Sequence, residues 1–268
     1  MKGFNRLKKI KLYFGDCLEV MDRLIEKGIE VDAVITDLPY GITACRWDNV
    51  IPFGEMWLRL NKIIKPNGAI ALFGSEPFSS ALRMSNIKNY KYDWVWHKSK
   101  CGSAFTSKYR PQQKHEIISV FGKGRIKYFP QMISGEPYYR KRKPNIGTKP
   151  NNHKLGVISE SETINKGERY PETIQFFQQR WRRQDQIHPT QKPVALMEYL
   201  IKTYTNENET VLDFTIGSGT TMLACKNLNR KGIGIDNDFC ENDKIKNGIQ
   251  LNGLSWVEIT QLRLDYKI

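Results

Sequence analysis

Residues 211–236, VLDFTIGSGTTMLACKNLNRKGIGID, leave this chain few ways to fold. An apolar run (ETVLDF, 209–214) ends in an acid and is followed by a glycine loop. A helical stretch (GTTMLACKNLN, 219–229) leads to a second apolar run, GIGID (232–236), which again ends in an acid. Strand, loop, helix and strand in this order make a crossover between parallel strands, and parallel sheets persist only with both faces covered. Gly217 and Gly219 let a ligand approach the backbone closely. Asp236, about 20 residues beyond the loop, is placed to hold two ribose hydroxyls.

The same alternation runs through most of the chain. Strands are expected at 9–14, 31–36, 69–75, 92–98 and 115–123, and helices at 18–28, 52–65, 77–85 and 194–204. Pro66-Asn67-Gly68 is expected to end the second of these helices. The pattern predicts an α/β fold with a mainly parallel sheet. Its 268 residues suffice for one large domain with a small insert. The expected division is 1–123 as a catalytic half, 124–187 as an insert of little periodicity, and 188–268 as a cofactor-binding half.

Two ligand classes compete for the glycine loop. A dinucleotide site wants G-x-G-x-x-G with a helix N-terminus aimed at the pyrophosphate. Here the loop reads G-S-G-T-T, without the third glycine, and Asp213 at its mouth opposes phosphate. S-adenosylmethionine carries an ammonium and a sulfonium and no phosphate, so it fits these residues better.

The strand VDAVIT (31–36) ends in Asp37-Leu38-Pro39-Tyr40, with Gly41 after it. An acid, a proline and an aromatic ring at a strand's C-terminal edge can hold a flat base by its exocyclic amino group. Asp37 and the Pro39 carbonyl would accept the amino hydrogens, and Tyr40 would stack on the ring, helped by Trp47 or Trp94. The alternative is an ordinary proline turn after a strand.

Charge points to a polyanion. Lys and Arg total 42 against 28 Asp and Glu, a net charge of +14. Between Gly122 and Ile187 there are 14 basic and 6 acidic residues, so this quarter of the chain holds more than half of the excess. The runs YYRKRKP (138–144) and RWRR (180–183) interleave cations with aromatic rings, a pattern suited to nucleic acid. Five scattered cysteines without a CxxC pair, and four histidines, argue against a zinc site. No cysteine follows a proline, so a Pro-Cys nucleophile for carbon 5 of cytosine is missing. No stretch is long and apolar enough to span a membrane, and a cytoplasmic protein with no metal is the expectation.

Taken together these segments resemble the amino-methylating DNA methyltransferases, in particular the adenine-directed group whose target motif precedes the cofactor motif. The D-P-P-Y of that family appears as DLPY (37–40), and its glycine loop as DFTIGSGTT (213–221). GDCLEVM (15–21), HPTQKP (188–193) and RYPETIQFF (169–177) are also similar to family segments. Leu38 departs from the family's usual proline. The resemblance covers nearly the whole chain apart from 124–168 and the last 25 or so residues.

The resemblance implies a Rossmann-like S-adenosylmethionine-dependent fold with a circularly permuted motif order and a mixed seven-stranded sheet containing one antiparallel strand. It implies methyl transfer to the N6 amino group of a flipped-out adenine in double-stranded DNA, of the restriction-modification kind. N4-cytosine methylation and a catalytically silent relative are the alternatives. Asp37, Pro39 and Tyr40 would be catalytic. Asp16 and the Cys17 amide would read the cofactor adenine, and Asp236 its ribose. Asp213, Phe214, Gly217 and Gly219 would line its methionine and sulfonium end. Thr190 and Lys192 would meet the methionine carboxylate, while His188 braces the loop. Arg140, Lys141, Arg142 and Lys143, with Arg180, Arg182 and Arg183, are expected on DNA phosphates within a target-recognition insert. Members of the family often pair, which makes a homodimer an expectation.

Overall fold

A computed structural model of the chain describes residues 9–43, 45–102, 106–143, 160–179, 186–188, 190–241, 245–266 and 268. The N-terminal part contains β1 (Ile10–Phe14), α1 (Cys17–Glu26), β2 (Val31–Asp37), α2 (Phe53–Ile63), β3 (Ile64–Gly74), α3 (Phe78–Ser85), β4 (Tyr90–Lys98) and β5 (His115–Phe121). Four short strands follow: β6 (Ile133–Ser134), β7 (Tyr138–Arg142), β8 (Ser161–Asn165) and β9 (Glu168–Arg169). After them come β10 (Ile174–Phe177), α4 (Val194–Tyr204), β11 (Thr210–Asp213), α5 (Thr220–Asn227) and β12 (Lys231–Asp236). A small hairpin of β13 (Ile245–Lys246) and β14 (Ile249–Gln250) precedes α6 (Trp256–Leu264).

One compact unit, made of the chain up to Phe129 and from Thr173 onward, holds the main sheet in the order β1-β12-β11-β2-β3-β5-β4-β10. Neighbours are parallel except at β5, which runs against both β3 and β4. The sheet therefore has eight strands, one more than expected. The extra strand is β10, paired with β4 from Ile174 opposite Val95 to Phe177 opposite Lys98. Four residues on a sheet edge, alternately exposed and half-buried, are too few to stand out as a period in a polar segment.

A second correction concerns the end of α2. Pro66-Asn67-Gly68 does not terminate that helix, which stops at Ile63, but lies inside β3. The pairing of β2 with β3 shifts register between Val31 and Ala33, which absorbs the irregular residues. A Cβ at Gly68 would stand 2.8 Å from the Asp32 carbonyl, so only glycine fits there.

The central strands explain the two-sided core. On β2, Val34 faces one apolar cluster, and Ala33 and Ile35 face the other. On β3, Ile70 and Leu72 separate in the same way from Ala69, Ala71 and Phe73. The first cluster is completed by α1, α2 and α3 through Met21, Leu24, Met56, Leu60 and Leu82; the second by α4 and α5 through Leu200, Ile201, Tyr204 and Met222. Each such side chain contributes roughly 1.5–3 kcal/mol by leaving water. Trp94, a candidate base-stacking ring, belongs to this second layer. Its indole N–H donates to the Tyr204 hydroxyl at 2.6 Å, and it does not line the cleft described below.

Strand order reverses at the centre. The crossover from β2 through α2 leads one way to β3, and the crossover from β11 through α5 leads the other way to β12. The carboxyl ends of β2 and β11 therefore flank a topological switch point, where open α/β sheets bind ligands. Asp37 and Asp213 are the last residues of those two strands.

The second unit, Pro130–Glu172, is narrower than the 124–187 stretch marked by composition. Its described residues form two antiparallel ribbons, β6 with β9 and β7 with β8.

Candidate active site

A cleft of ≈ 830 Å³ opens at the switch point, lined by residues from both strand ends and from the loops around them. Asp37 ends β2, and the Tyr40 hydroxyl donates to its Oδ1 at 2.6 Å. Burial, then the neighbouring Asp37 charge, pushes the Tyr40 phenol far above its ordinary range, so it stays a donor. Pro39 lines the cleft between them. Leu38 borders the cleft too but is buried in the core formed with α1–α3, which accounts for an aliphatic residue at this position.

The turn after Tyr40 is set by Asp48, which the sequence reading passed over. Its carboxylate accepts from the backbone N–H of Gly41 (2.9 Å), Ile42 (3.0 Å) and Thr43 (2.7 Å), and from the Thr43 hydroxyl (2.7 Å). Burial opposes ionisation here, but these bonds outweigh it and hold the Asp48 carboxyl below its usual range. The only sequence signal was an acid a few residues beyond a Gly turn, the arrangement of a side chain that caps exposed backbone donors.

Lys192 enters the cleft wall from the segment ahead of α4. Its ammonium bonds to Asp37 Oδ2 and lies 3.3 Å from Glu116 Oε2. Burial would neutralise Lys192, but Asp37 and Glu116 together keep it charged and its pKa above the ordinary value. Asp37 is pushed up by burial and by Glu116, against the pull of Lys192. Lys192 thus lies on the carboxylates of Asp37 and Glu116.

Elsewhere along the cleft, Asp16 caps α1 by accepting from the Leu18 N–H at 2.9 Å and the Glu19 N–H at 3.2 Å. Cys17 follows it on the cleft wall, with its thiol raised to about 12 by burial and by Asp16. Asp236 ends β12 and accepts from Gly217 N–H (2.9 Å) and Asp238 N–H (3.0 Å), yet burial still lifts it to about 6. Burial lifts Asp213 further, to about 7, against hydrogen bonds from Thr221 and the Thr215 N–H. Phe214 is fully buried beside it and also faces the cleft. The Thr215 hydroxyl donates to the Asp37 carbonyl at 2.8 Å and so ties the two strand ends together.

The two loop glycines serve different ends. Gly217 lines the cleft at φ +46°. Gly219 does not line it; at φ +73° it starts α5, and a Cβ there would stand 2.7 Å from Thr260 Cβ. The glycine at 219 is demanded by α6, in the C-terminal stretch that the motifs did not reach. The Ser255–Glu258 capping box starts α6, and Trp256 on its first turn meets His188 at 4.6 Å between ring centroids. Trp47, a cleft residue, packs on the same imidazole at 5.3 Å. Burial and then Lys192 lower His188 to about 4, so it is neutral. Its Nδ1 accepts from the Thr190 N–H at 3.2 Å, which settles Thr190 on the cleft wall.

Of the basic candidates, Arg140, Lys141 and Arg142 lie along β7 and Lys143 follows, all exposed. Lys141 is bracketed by Glu160 (3.1 Å) and Glu162 (3.2 Å) across the ribbon. Arg180, Arg182 and Arg183 lie outside the described residues. Among the described residues no His, Cys, Asp and Glu side chains converge as metal ligands, and no helix is long and apolar enough to cross a membrane.

A family model for DNA methylase matches residues 31–242. The chain is 28% identical over 266 residues to the type II methyltransferase M.HpaI of Haemophilus parainfluenzae, in an alignment that takes in 92% of this chain and 77% of that protein. The crystal structure of the M1.HpyAVI–SAM complex is similar at a TM-score of 0.60 and 26% identity, over 95% of this chain and 99% of that one. The cytosine-N4-specific PvuII DNA methyltransferase shares the fold at a TM-score of 0.57 and 17% identity, over 96% and 93% of the two chains.

Proposed function

We propose that this chain, which belongs to the DNA methylase family, methylates the N6 amino group of adenine in double-stranded DNA. It is a DNA amino-methyltransferase that uses S-adenosylmethionine. When bound, that cofactor supplies an electrophilic methyl group on a positively charged sulfur.

The cleft suits such a ligand. Asp16, Asp213 and Asp236 all line it, and such carboxyl groups suit an ammonium or sulfonium better than a pyrophosphate. The cations lining the cleft among the described residues are already engaged: Arg46 with Asp238, Lys98 with Glu116, and Lys192 with Asp37. Asp16 and Cys17 would border the cofactor adenine, Asp236 its ribose, and Asp213, Phe214 and Gly217 its methionine end.

Asp37 and the Pro39 carbonyl accept the two amino hydrogens of the target base. The lone pair of an aromatic amine is delocalised into the ring, and acceptors on both hydrogens favour a pyramidal nitrogen aimed in line with the methyl group. Tyr40 offers its ring to the base, which must leave the DNA stack to reach it. No covalent enzyme adduct is needed. Arg140, Arg142 and Lys143 serve as phosphate contacts.

The observation that carries this reading is Asp37 beside Asp213 in one cleft, with an acid rather than a serine heading the tetrapeptide. The test is transfer of labelled methyl to mixed-sequence unmethylated duplex DNA, followed by nucleoside mass spectrometry. N6-methyladenine, lost in Asp37→Ala, is expected. N4-methylcytosine would overturn the adenine assignment and keep the chemistry.

A further inference from the structure

Four charged side chains from four segments meet in the cleft wall: Asp37 at the end of β2, Lys192 ahead of α4, Glu116 on β5 and Lys98 on β4. Lys98 Nζ donates to Glu116 Oε1 at 3.0 Å, and Lys192 bridges Glu116 Oε2 and Asp37 Oδ2. Glu116 Oε2 is buried, and Lys192 at 3.3 Å is its one ion-pair partner among the described residues. Charges alternate in sign along the chain, and the set is neutral. As scaffolding this is a poor choice, because well-packed apolar side chains in place of a buried ion network are commonly neutral or stabilising. The network also ends on the one carboxylate that the methyl-transfer reading puts against the reacting nitrogen.

We propose that Glu116, acting through Lys192, is a positioning residue that sets how strongly Asp37 accepts the amino hydrogens of the target base. The inference rests on the methyl-transfer function proposed above. With Lys192 alone as its partner, Asp37 would give most of its charge to the ammonium and would be a weak acceptor. Glu116 takes a share of that ammonium and adds a second negative charge nearby, so Asp37 stays fixed by Lys192 and still basic. Lys98 limits the effect by holding the far oxygen of Glu116. Methyl transfer forms a C–N bond, leaves the C–S electron pair on sulfur and frees one proton from the nitrogen. Asp37 is the base that this proton meets before it passes to water.

The groups facing Asp37 are Tyr40 in its own turn, Lys192, Glu116, and Asp213 at the end of β11; Lys192 also faces His188. Of these, Glu116 can be altered without touching the cofactor end, Tyr40 or the Asp37–Lys192 bond.

The experiment follows the Asp37 carboxyl by ¹³C NMR in aspartate-labelled protein without cofactor, assigned with Asp37→Asn, alongside single-turnover methylation from pH 5 to 9. Glu116→Gln keeps the shape and removes the charge. Its Asp37 midpoint is expected to fall by about one pH unit, the scale of losing one near like charge. Its plateau rate should fall roughly tenfold, with cofactor affinity unchanged within about threefold. Lys98→Met frees Glu116 to draw Lys192 away, so the Asp37 midpoint should move up, opposite in sign. Midpoints that match the wild type, or shift the same way in both variants, overturn the proposal. So does a rate loss that tracks lost cofactor affinity. If Glu116→Gln fails to fold, the direction of the Lys98→Met shift decides alone. Wild-type protein that methylates no amino group overturns the functional reading and this inference with it, whereas wild-type transfer with unmoved variant midpoints overturns the inference only.

Discussion

The ammonium of Lys192 is bound to the carboxylate of Asp37 across 155 positions of sequence. That contact joins the HPTQKP segment to the tetrapeptide at the end of β2. It brings two separate motifs together, so that a cation fixes the acid proposed to meet the target base.

Removing that cation leaves Asp37 and Glu116 facing each other in a buried wall. Lys192→Met is expected to cost about 3–5 kcal/mol at pH 7.5, the usual consequence of stranding buried charge. Both carboxylates would then titrate high, so the deficit should shrink as pH falls to 5 and they bind protons. Urea unfolding at the two pH values measures it; an equal deficit at both would count against the charge account.

Asp37→Asn preserves size but replaces one acceptor oxygen with a donor. The single-turnover rate should fall roughly 10²–10³-fold, as for loss of one preorganised group at a reacting atom. Cofactor affinity, read by calorimetry, should stay close to wild type. Tyr40→Phe keeps the ring and loses only the bond to Asp37, so a decline of no more than about tenfold is expected.

Gly219→Ala tests the role of α6. The new methyl group would strain a left-handed residue and collide with Thr260. A loss of about 2–4 kcal/mol is expected from the two effects together. Thr260→Ala removes the outer atoms of the obstacle, so the double variant should regain part of that loss. Simple additivity of the two changes in denaturant unfolding would show that the contact does not limit the loop.

Asp213 and Asp236 hold protons to about 7 and about 6 in the folded protein, above the ordinary aspartate value of 3.8. The folded state therefore binds more protons than the unfolded chain between those values. Stability of the cofactor-free protein should decline as pH rises from 4 to 7. Asp213→Asn should flatten that decline in urea unfolding. Affinity for S-adenosylmethionine should increase through pH 7 in the wild type, as Asp213 gains its charge, and lose that rise in the variant.

On β7, Lys141 is already neutralised by Glu160 and Glu162, whereas Arg140 and Arg142 make no ion pair among the described residues. Arg140→Ala and Arg142→Ala should each reduce the slope of log K against log salt for DNA binding by about one, and Lys141→Ala by less. Equal slopes for all three variants would remove the ion pairs from the explanation.

Much of this molecule is legible in its sequence. The alternation of apolar runs with helical stretches gave the α/β class, because side-chain period and strand burial are local properties written in short windows. The acids at 37, 213 and 236 were readable for the same reason: each ends an apolar run, and the ends of parallel strands share one edge of the sheet. Strand β10 escaped because four edge residues carry no usable period, and α2 was drawn too long because a bulge let Pro66 and Gly68 sit within a strand.

The partnerships were decided by the tertiary structure alone. Nothing in the neighbourhood of Lys192 names Asp37 and Glu116 as its partners, since the meeting depends on β2, β3 and β5 lying side by side. Asp48 became a clamp only when its loop folded back on Gly41, and Gly219 became obligatory only when Thr260 arrived from a helix outside every motif. Sequence by itself determined which residues stand at strand ends, through hydrophobic patterning that acts over a few positions. The structure decided which charges touch, because burial and pairing depend on strand order and on segments brought together from far apart in the chain.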